Sequence, residues 1–513
     1  MNPPRFFYSG VVLFFIIVLL PILFMIIAPF VTLNTTSLGG ALFDERHLTL
    51  AKNSLGLAAG TTFLSLIIGV PLAFLISRAN LWGRKLFGIL YLVPILIPPY
   101  IHAIVWSHLH SVIKQYFATD IHSLGGAIFV LTLAYFPFVT LLTLSGLKSV
   151  DRNLEEASLL CYGGWQTLKR ITLPLVTPHI FSGAIFVFIF TVIDFAVPDI
   201  LRVNVYPIEI FIQYSAFYDE KAAILLSFPL IAITLIFVFL LKWYMGSRSY
   251  VNLKGLQEGI TYHLGKFSPL AFILCLIVLG LSVFIPIIVL LEEAGPVSNY
   301  LRVLNSSMSQ IGFSMMLAFS GAVLTLILSF LVSYLIERTK GKTVITLEVA
   351  SLIPFAIPAT TIGIGLIKVW NRPVLDFIYA SPFIIILGCV ARSMPFTIRT
   401  TSSGMKQVAL SLEEVAFLSI GGWTKVIRKI VIPLLRPSLI TGFFIAFIIS
   451  LGELGTTLLV IPPGRETIPI KIYNLMHYGA DQMVAALCVI LIVMILALSG
   501  LFLVVHKRFE ENT

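Results

Sequence analysis

The sequence predicts an all-α membrane protein, with about twelve transmembrane helices in two parallel six-helix repeats. Three observations carry this expectation. Hydrophobic residues make up 58% and charged residues 11% of the 513, whereas soluble domains carry roughly 25% charged residues. The apolar residues gather in runs long enough to cross a hydrocarbon core of ~30 Å, which takes about 20 helical residues. Landmarks of the first half also return in the second at a nearly constant offset, the mark of an internal repeat.

In chain order, Met1 to Ser9 is short and carries one charge, Arg5, before an apolar run from Gly10 to Val31. That run is too long for a signal-peptide core and reads as an uncleaved first helix. A polar outer loop, Thr32 to Lys52, precedes spans at 53–76, 86–110 and 123–147. A polar island follows, then spans at 177–197 and 222–243. Residues 1–244 therefore form the first repeat, 245–266 a polar cytoplasmic linker, and 267–513 the second repeat. Its spans lie at 267–291, 311–335, 345–368, 382–403, 438–460 and 483–505.

The repeat is visible residue by residue. Ser77-Arg78 answers Glu337-Arg338, and Pro94/Pro98 answer Pro354/Pro358, both at an offset of 260. Pro137 answers Pro395 at 258. Six spans separate equivalent points, so the halves are related by an axis along the membrane normal.

The islands organise the chain. Glu155 to Pro178 and Glu413 to Pro437 each open on two glutamates (Glu155, Glu156; Glu413, Glu414). Each passes through Gly-Gly-Trp, gathers basic residues and closes with Pro-x-x-x-Pro. Acids first and bases last suit a helix macrodipole. The glycine pairs Gly163-Gly164 and Gly421-Gly422 predict a turn between two short helices. With the islands inside, 23 of the 34 lysines and arginines fall on inner segments and 10 on outer ones, with Arg392 inside a span. That bias puts the islands and both termini in the cytoplasm. It also accounts for the net charge of +10 without nucleic acid. Cys161, Cys275, Cys389 and Cys488 suggest no disulfide framework.

The islands resemble the EAA loop of ABC-importer permeases in their opening acids, in Trp165 and Trp423, and in their Ile-Thr-Leu-Pro and Ile-Val-Ile-Pro endings. The place of the family glycine is held by Cys161 or Ile420, and the glycine pair just after it takes over the turn. The likeness extends further. Arg392 before Pro395-Phe396, Gly-Glu-Leu-Gly-Thr-Thr-Leu-Leu at 452–459, and Pro-Pro-Gly-x-Glu-Thr at 462–467 followed by Ile472-Tyr473 resemble fused ferric-iron-type permeases. Related permeases for thiamine, phosphonates and sugar phosphates share this plan.

The resemblance implies a type I importer permease of a bacterial inner membrane. It implies a transport subunit and not an enzyme, with ferric iron as the leading solute. Two cytoplasmic ATPase subunits would dock on Glu155, Glu156, Gly163, Gly164, Glu413, Glu414, Gly421 and Gly422. A periplasmic or lipid-anchored binding protein would deliver the solute. ATP would be used by the partners, and no cofactor by this chain, which lacks a Gly-x-x-x-x-Gly-Lys-Ser/Thr loop; Gly341-Lys342-Thr343 has Ile336 where the first glycine belongs. An ion-coupled secondary carrier is the competing class, but it has no use for two matching islands.

Within the spans, Pro94, Pro98, Pro354 and Pro358 predict either kinked helices or broken helices lining a pathway. Asp194 and Glu453 each lie 20 residues after an island proline, Pro174 or Pro433. Counted from Pro178 or Pro437 at ~1.5 Å per residue, they sit about 24 Å from the inner boundary. Ionisable groups at that depth face a cavity or a partner, so two readings stand: gate carboxylates at the outer mouth, or a structural pair of Glu453 with Arg392. His102 and His110 flank Trp106 on one helix and suggest polar packing or a metal-lined passage. No Cys/His or oxygen cluster has metal-site spacing. The segments 206–211 and 462–479 predict amphipathic helices lying on the membrane surface and are candidates for contact with the delivery protein.

Overall fold

The apolar runs become long helices because hydrocarbon offers no partner for a backbone N–H or C=O, so each segment bonds within itself. The computed structural model describes residues 4, 6–32, 45–114, 120–246 and 260–510. Most of the linker and of the first outer loop lies outside these residues. Among the described residues all regular elements are helical, save one isolated bridge between Ala79 and Tyr262. Among the described residues ten helices are long and apolar enough to cross a membrane, or twelve if each of two bent pairs counts as one span.

The bent pairs are where the paired prolines act. Arg84–Leu96 and Pro99–Val112 meet at 92°, and Val344–Ala356 and Ala359–Trp370 at 110°. In each, an extended residue (Ile97, ψ 118°; Ile357, ψ 130°) precedes a proline that starts the next helix. Proline forces its predecessor out of the helical region and has no N–H to continue the ladder. The result is a break and not a kink.

A second proline device was not foreseen. Among the described residues four helices contain a π turn: Phe15–Leu19, Leu168–Thr172, Gly280–Phe284 and Ile427–Val431. Each ends two residues before a proline: Pro21, Pro174, Pro286 or Pro433. Widening one turn lets the residue before the proline bond five residues back. The ring is then accommodated without breaking the helix. The islands therefore run on into the membrane as continuous helices, Gly164–Val192 and Trp423–Leu451. These end at Val192 and Leu451, short of the predicted 197 and 460.

The chain divides into two compact units: Met1–Leu38 with Ile210–Ile231 and Glu293–Thr513, and Gly39–Glu209 with Ala232–Glu292. In the second, helices Glu45–Arg78, Leu124–Ser149 and Gly164–Val192 pack closely. A Cβ on Gly69 would lie 2.9 Å from the Phe136 carbonyl, and one on Gly183 2.9 Å from the Val139 Cα. Small residues permit such approach where lipid gives no hydrophobic drive. Ala271, Cys275, Leu279 and Val283 of the helix Gly265–Ala294 complete this core. In the other unit, Phe7 of the N-terminal helix is fully buried and stacks on Tyr334 at 4.0 Å. Each unit thus includes helical segments from beyond its main stretch of sequence.

The outer amphipathic segments do form helices, Tyr206–Ser215 and Ile468–His477. They do not lie on a surface. Tyr206, Ile208 and Ile210, and Ile468, Ile470 and Ile472, are all buried. The first N–H of each bonds a serine of its unit's long second span: Tyr206 to Ser54 Oγ (3.0 Å), Ile468 to Ser314 Oγ (2.8 Å). Exposed aromatic residues lie just past their C-terminal ends, at Phe217, Tyr218 and Tyr478.

Candidate functional site

Each island folds as a short helix, a glycine turn and a return helix. Asp151 caps the first short helix, Arg152–Tyr162, by accepting from the Asn153 N–H at 2.9 Å; a free N-terminal donor is satisfied this way. Gly163 (φ 72°) ends it, and Gly421 (φ 59°) and Gly422 (φ 81°) end the helix Leu410–Ile420. L-residues with a Cβ rarely adopt these angles, so the predicted turns are where the sequence placed them.

The opening glutamates divide into two kinds. Glu155 and Glu413 are completely buried. Glu155 accepts from Thr172 Oγ1 at 2.8 Å and pairs with Arg78 Nη1 at 3.2 Å. Glu413 accepts from Tyr334 Oη at 2.8 Å and pairs with Arg338 at 2.7 Å. Both arginines also donate to carbonyls at the foot of the next inner helix, Arg78 to Leu147 (2.7 Å) and Arg338 to Val408 (2.8 Å). A buried ion pair is costly to break from one side, because the charge left behind stays desolvated. Glu155 and Glu413 thus tie the islands to the inner ends of Glu45–Arg78 and Val297–Arg338.

What the islands present outward is different. Glu156 is exposed and paired with Arg152 at 2.7 Å, an (i, i+4) pair. Glu414 is half-buried. Leu160 and Leu418, repeat-equivalents at an offset of 258, are 90% and 81% exposed. Trp165 is 74% exposed, whereas Trp423 packs on Phe417 at 5.2 Å. Lys169, Arg170, Lys425, Arg428 and Lys429 form an exposed basic flank, with Arg170 over the Tyr162 ring. An apolar tip ringed by charge suits the centre and polar rim of a protein interface. The sequence reading missed the leucines, because an apolar residue in a short helix gives no sign of its exposure.

Asp194 and Glu453 occupy equivalent breaks. Asp194 Oδ1 accepts from the Val197 N–H at 2.9 Å and caps the short helix Ala196–Ile200. Glu453 Oε1 does the same for Thr456 (2.8 Å) at the helix Gly455–Val460. Their second oxygens differ: Asp194 accepts from Tyr135 Oη at 3.0 Å, and Glu453 faces Arg392 Nε at 3.4 Å. Arg392 also reaches the Ile357 carbonyl at the break of the bent pair, at 3.4 Å. Glu453 and Arg392 are thus brought together, while Asp194 is held by Tyr135. His102 is fully buried; His110 lies beside Asp120, 3.5 Å away, which also pairs with His122 at 3.1 Å. Among the described residues no group of three or more His, Cys, Asp or Glu is placed to hold a metal ion.

Residues 65–250 and 338–511 each match the family described as binding-protein-dependent transport system inner membrane component. The chain belongs to that family. It is a multi-pass inner-membrane permease, a transport component and not an enzyme. Family membership argues against the ion-coupled carrier, because these permeases work with a solute-binding protein. The chain is similar to the Fe(3+)-transport system permease protein FbpB 2 of Haemophilus influenzae, 24% identical over 503 residues, covering 94% of this chain and 95% of the relative. It is similar to the ferric transport system permease protein FbpB of Actinobacillus pleuropneumoniae, 25% identical over 486 residues, covering 87% and 69%. A putative 2-aminoethylphosphonate permease, PhnV of Salmonella typhimurium, is 26% identical over 200 residues, covering 39% and 75%.

Proposed function

We propose that the chain is the complete membrane pathway of a ferric-iron importer and that its two islands dock two cytoplasmic ATPase subunits. The duplicated tip carries the reading. Leu160 and Leu418 stand almost free of their own protein, each on a helix whose root is held by a buried Glu–Arg pair. A rigid root and an apolar tip suit a lever that transmits closure of one ATPase into the helices behind it. The docking set is then Glu156, Leu160 and Trp165 in the first island and Glu414 and Leu418 in the second. Glu155, Glu413 and the glycine turns act by placing it.

Residues 1–244 and 267–513 serve as the two halves of one pathway that alternates its access, with islands and termini in the cytoplasm. ATP is spent by the partners and no cofactor resides in this chain. Ferric iron is preferred to a phosphonate because the ferric relatives align along nearly the whole chain, the phosphonate one along less than half.

Copurification with the cognate ATPase tests docking. The double variant Leu160→Glu, Leu418→Glu should fold and reach the membrane yet lose the ATPase and all uptake of radiolabelled ferric iron. Retained ATPase in that variant would overturn the docking face. Wild-type protein that imports a phosphonate and not iron would overturn the solute.

A further inference from the structure

The two anchors are built alike but completed differently. In the second island Tyr334, on the same helix as Arg338, gives its hydroxyl to Glu413. Its counterpart at an offset of 260 is Phe74, which has no hydroxyl to give. The first island makes up the loss in two ways. Thr172 donates to Glu155, where the second half has Val431. The described end of the inter-repeat linker, residues 260–264, lies across the anchor.

That crossing is specific. The Tyr262 N–H bonds the Arg78 carbonyl at 2.6 Å, and the Asn80 N–H bonds the Tyr262 carbonyl at 3.1 Å, which closes the isolated bridge beside Ala79. The Ile260 N–H points at Glu155 Oε2, 3.5 Å away. The Tyr262 ring lies over the island's turn, 3.2 Å from where a Cβ on Gly164 would stand. Three points of the lever root are touched by one short stretch: the end of the span, the buried carboxylate and the turn. Burial and the nearby Glu155 carboxylate raise the Tyr262 phenol above its ordinary range, in keeping with a ring held against the anchor.

We propose that residues 260–264 form a strap that sets the seat of the first docking helix, with Tyr262 as its positioning residue, whereas the second docking helix is seated by its own span. The linker is then a working part of one lever and not only a tether between repeats. The consequence for ATPase coupling rests on the docking reading above; the strap itself does not, and its test needs no ATPase.

A natural reporter is in place. Cys161 is exposed on the first docking helix, and Cys275, Cys389 and Cys488 are buried. Its counterpart in the second island is Ser419, also exposed. Full-length permease in nanodiscs is spin-labelled at Cys161 or, in a Cys161→Ser background, at Ser419→Cys. Tyr262→Ala should raise the mobile fraction of the label at 161 by roughly threefold or more, since local opening follows the loss of local contacts. It should leave the label at 419 unchanged, and Tyr262→Phe, which keeps the ring over Gly164, should restore the wild-type spectrum at 161. If Tyr262→Ala does not fold, Ile260→Pro removes the N–H aimed at Glu155 and carries the same expectation. An unchanged spectrum at 161, equal loosening at both positions, or a Tyr262→Phe that behaves as alanine would each overturn the strap.

Discussion

Replacing Glu413 by alanine removes the acceptor that Tyr334 and Arg338 share. Arg338 is only 9% exposed and is left without its counter-charge. Removing one partner of a buried pair costs ~3–5 kcal/mol, because the remaining charge stays desolvated. Arg338 keeps the Val408 carbonyl at 2.8 Å and the Met405 carbonyl at 3.3 Å, so the lower end, about 3 kcal/mol, applies. At 1.4 kcal/mol per decade this raises local opening of the island roughly a hundredfold. Glu156→Ala breaks an exposed (i, i+4) pair, side chains 53% and 49% exposed, and should cost no more than ~0.5 kcal/mol. Hydrogen exchange followed by mass spectrometry on the purified permease resolves the two. Peptides covering 410–420 should lose about two decades of protection in Glu413→Ala, while peptides covering 152–162 in Glu156→Ala change by less than about threefold. If Glu413→Ala left 410–420 protected, or if Glu156→Ala loosened its helix as much, the division into buried anchor and exposed contact would be wrong.

Other expectations follow from the same geometry. Arg392→Ala should destabilise the permease by about 3 kcal/mol, because Glu453 is left 8% exposed with no cation beside it. Tyr135→Phe, which removes one hydrogen bond to Asp194, should cost only about 1 kcal/mol, and thermal unfolding in detergent would rank the two. Gly421→Ala should strain the turn at φ 59° by roughly 1–2 kcal/mol and weaken ATPase copurification, whereas Gly500→Ala, with open space around it, should do neither. The raised pKa of Tyr262 favours its neutral form in the folded protein. The strap is therefore intact below the ordinary value of 10.0 and weakens as pH climbs through the raised one. Label mobility at Cys161 should rise with alkaline pH in the wild type and stay flat in Tyr262→Phe.

The apolar runs, the repeat offsets, the lysine and arginine bias and the island turns could all be read from the sequence, because each is a local property: a length, a spacing, a charge count, a glycine where φ is positive. Arg78 and Arg338 were visible only as landmarks of the repeat, and nothing in their spacing joined them to glutamates 77 and 75 residues away. That pairing, the burial of Glu155 and Glu413, the exposure of Leu160 and Leu418, and the crossing of Tyr262 over Arg78 depend on which helices lie side by side. Packing of distant segments decides that, and no local pattern encodes it. The same holds for Asp194 and Glu453. The sequence placed two carboxylates in the membrane, and only the broken helices beneath them supplied the N–H groups they cap.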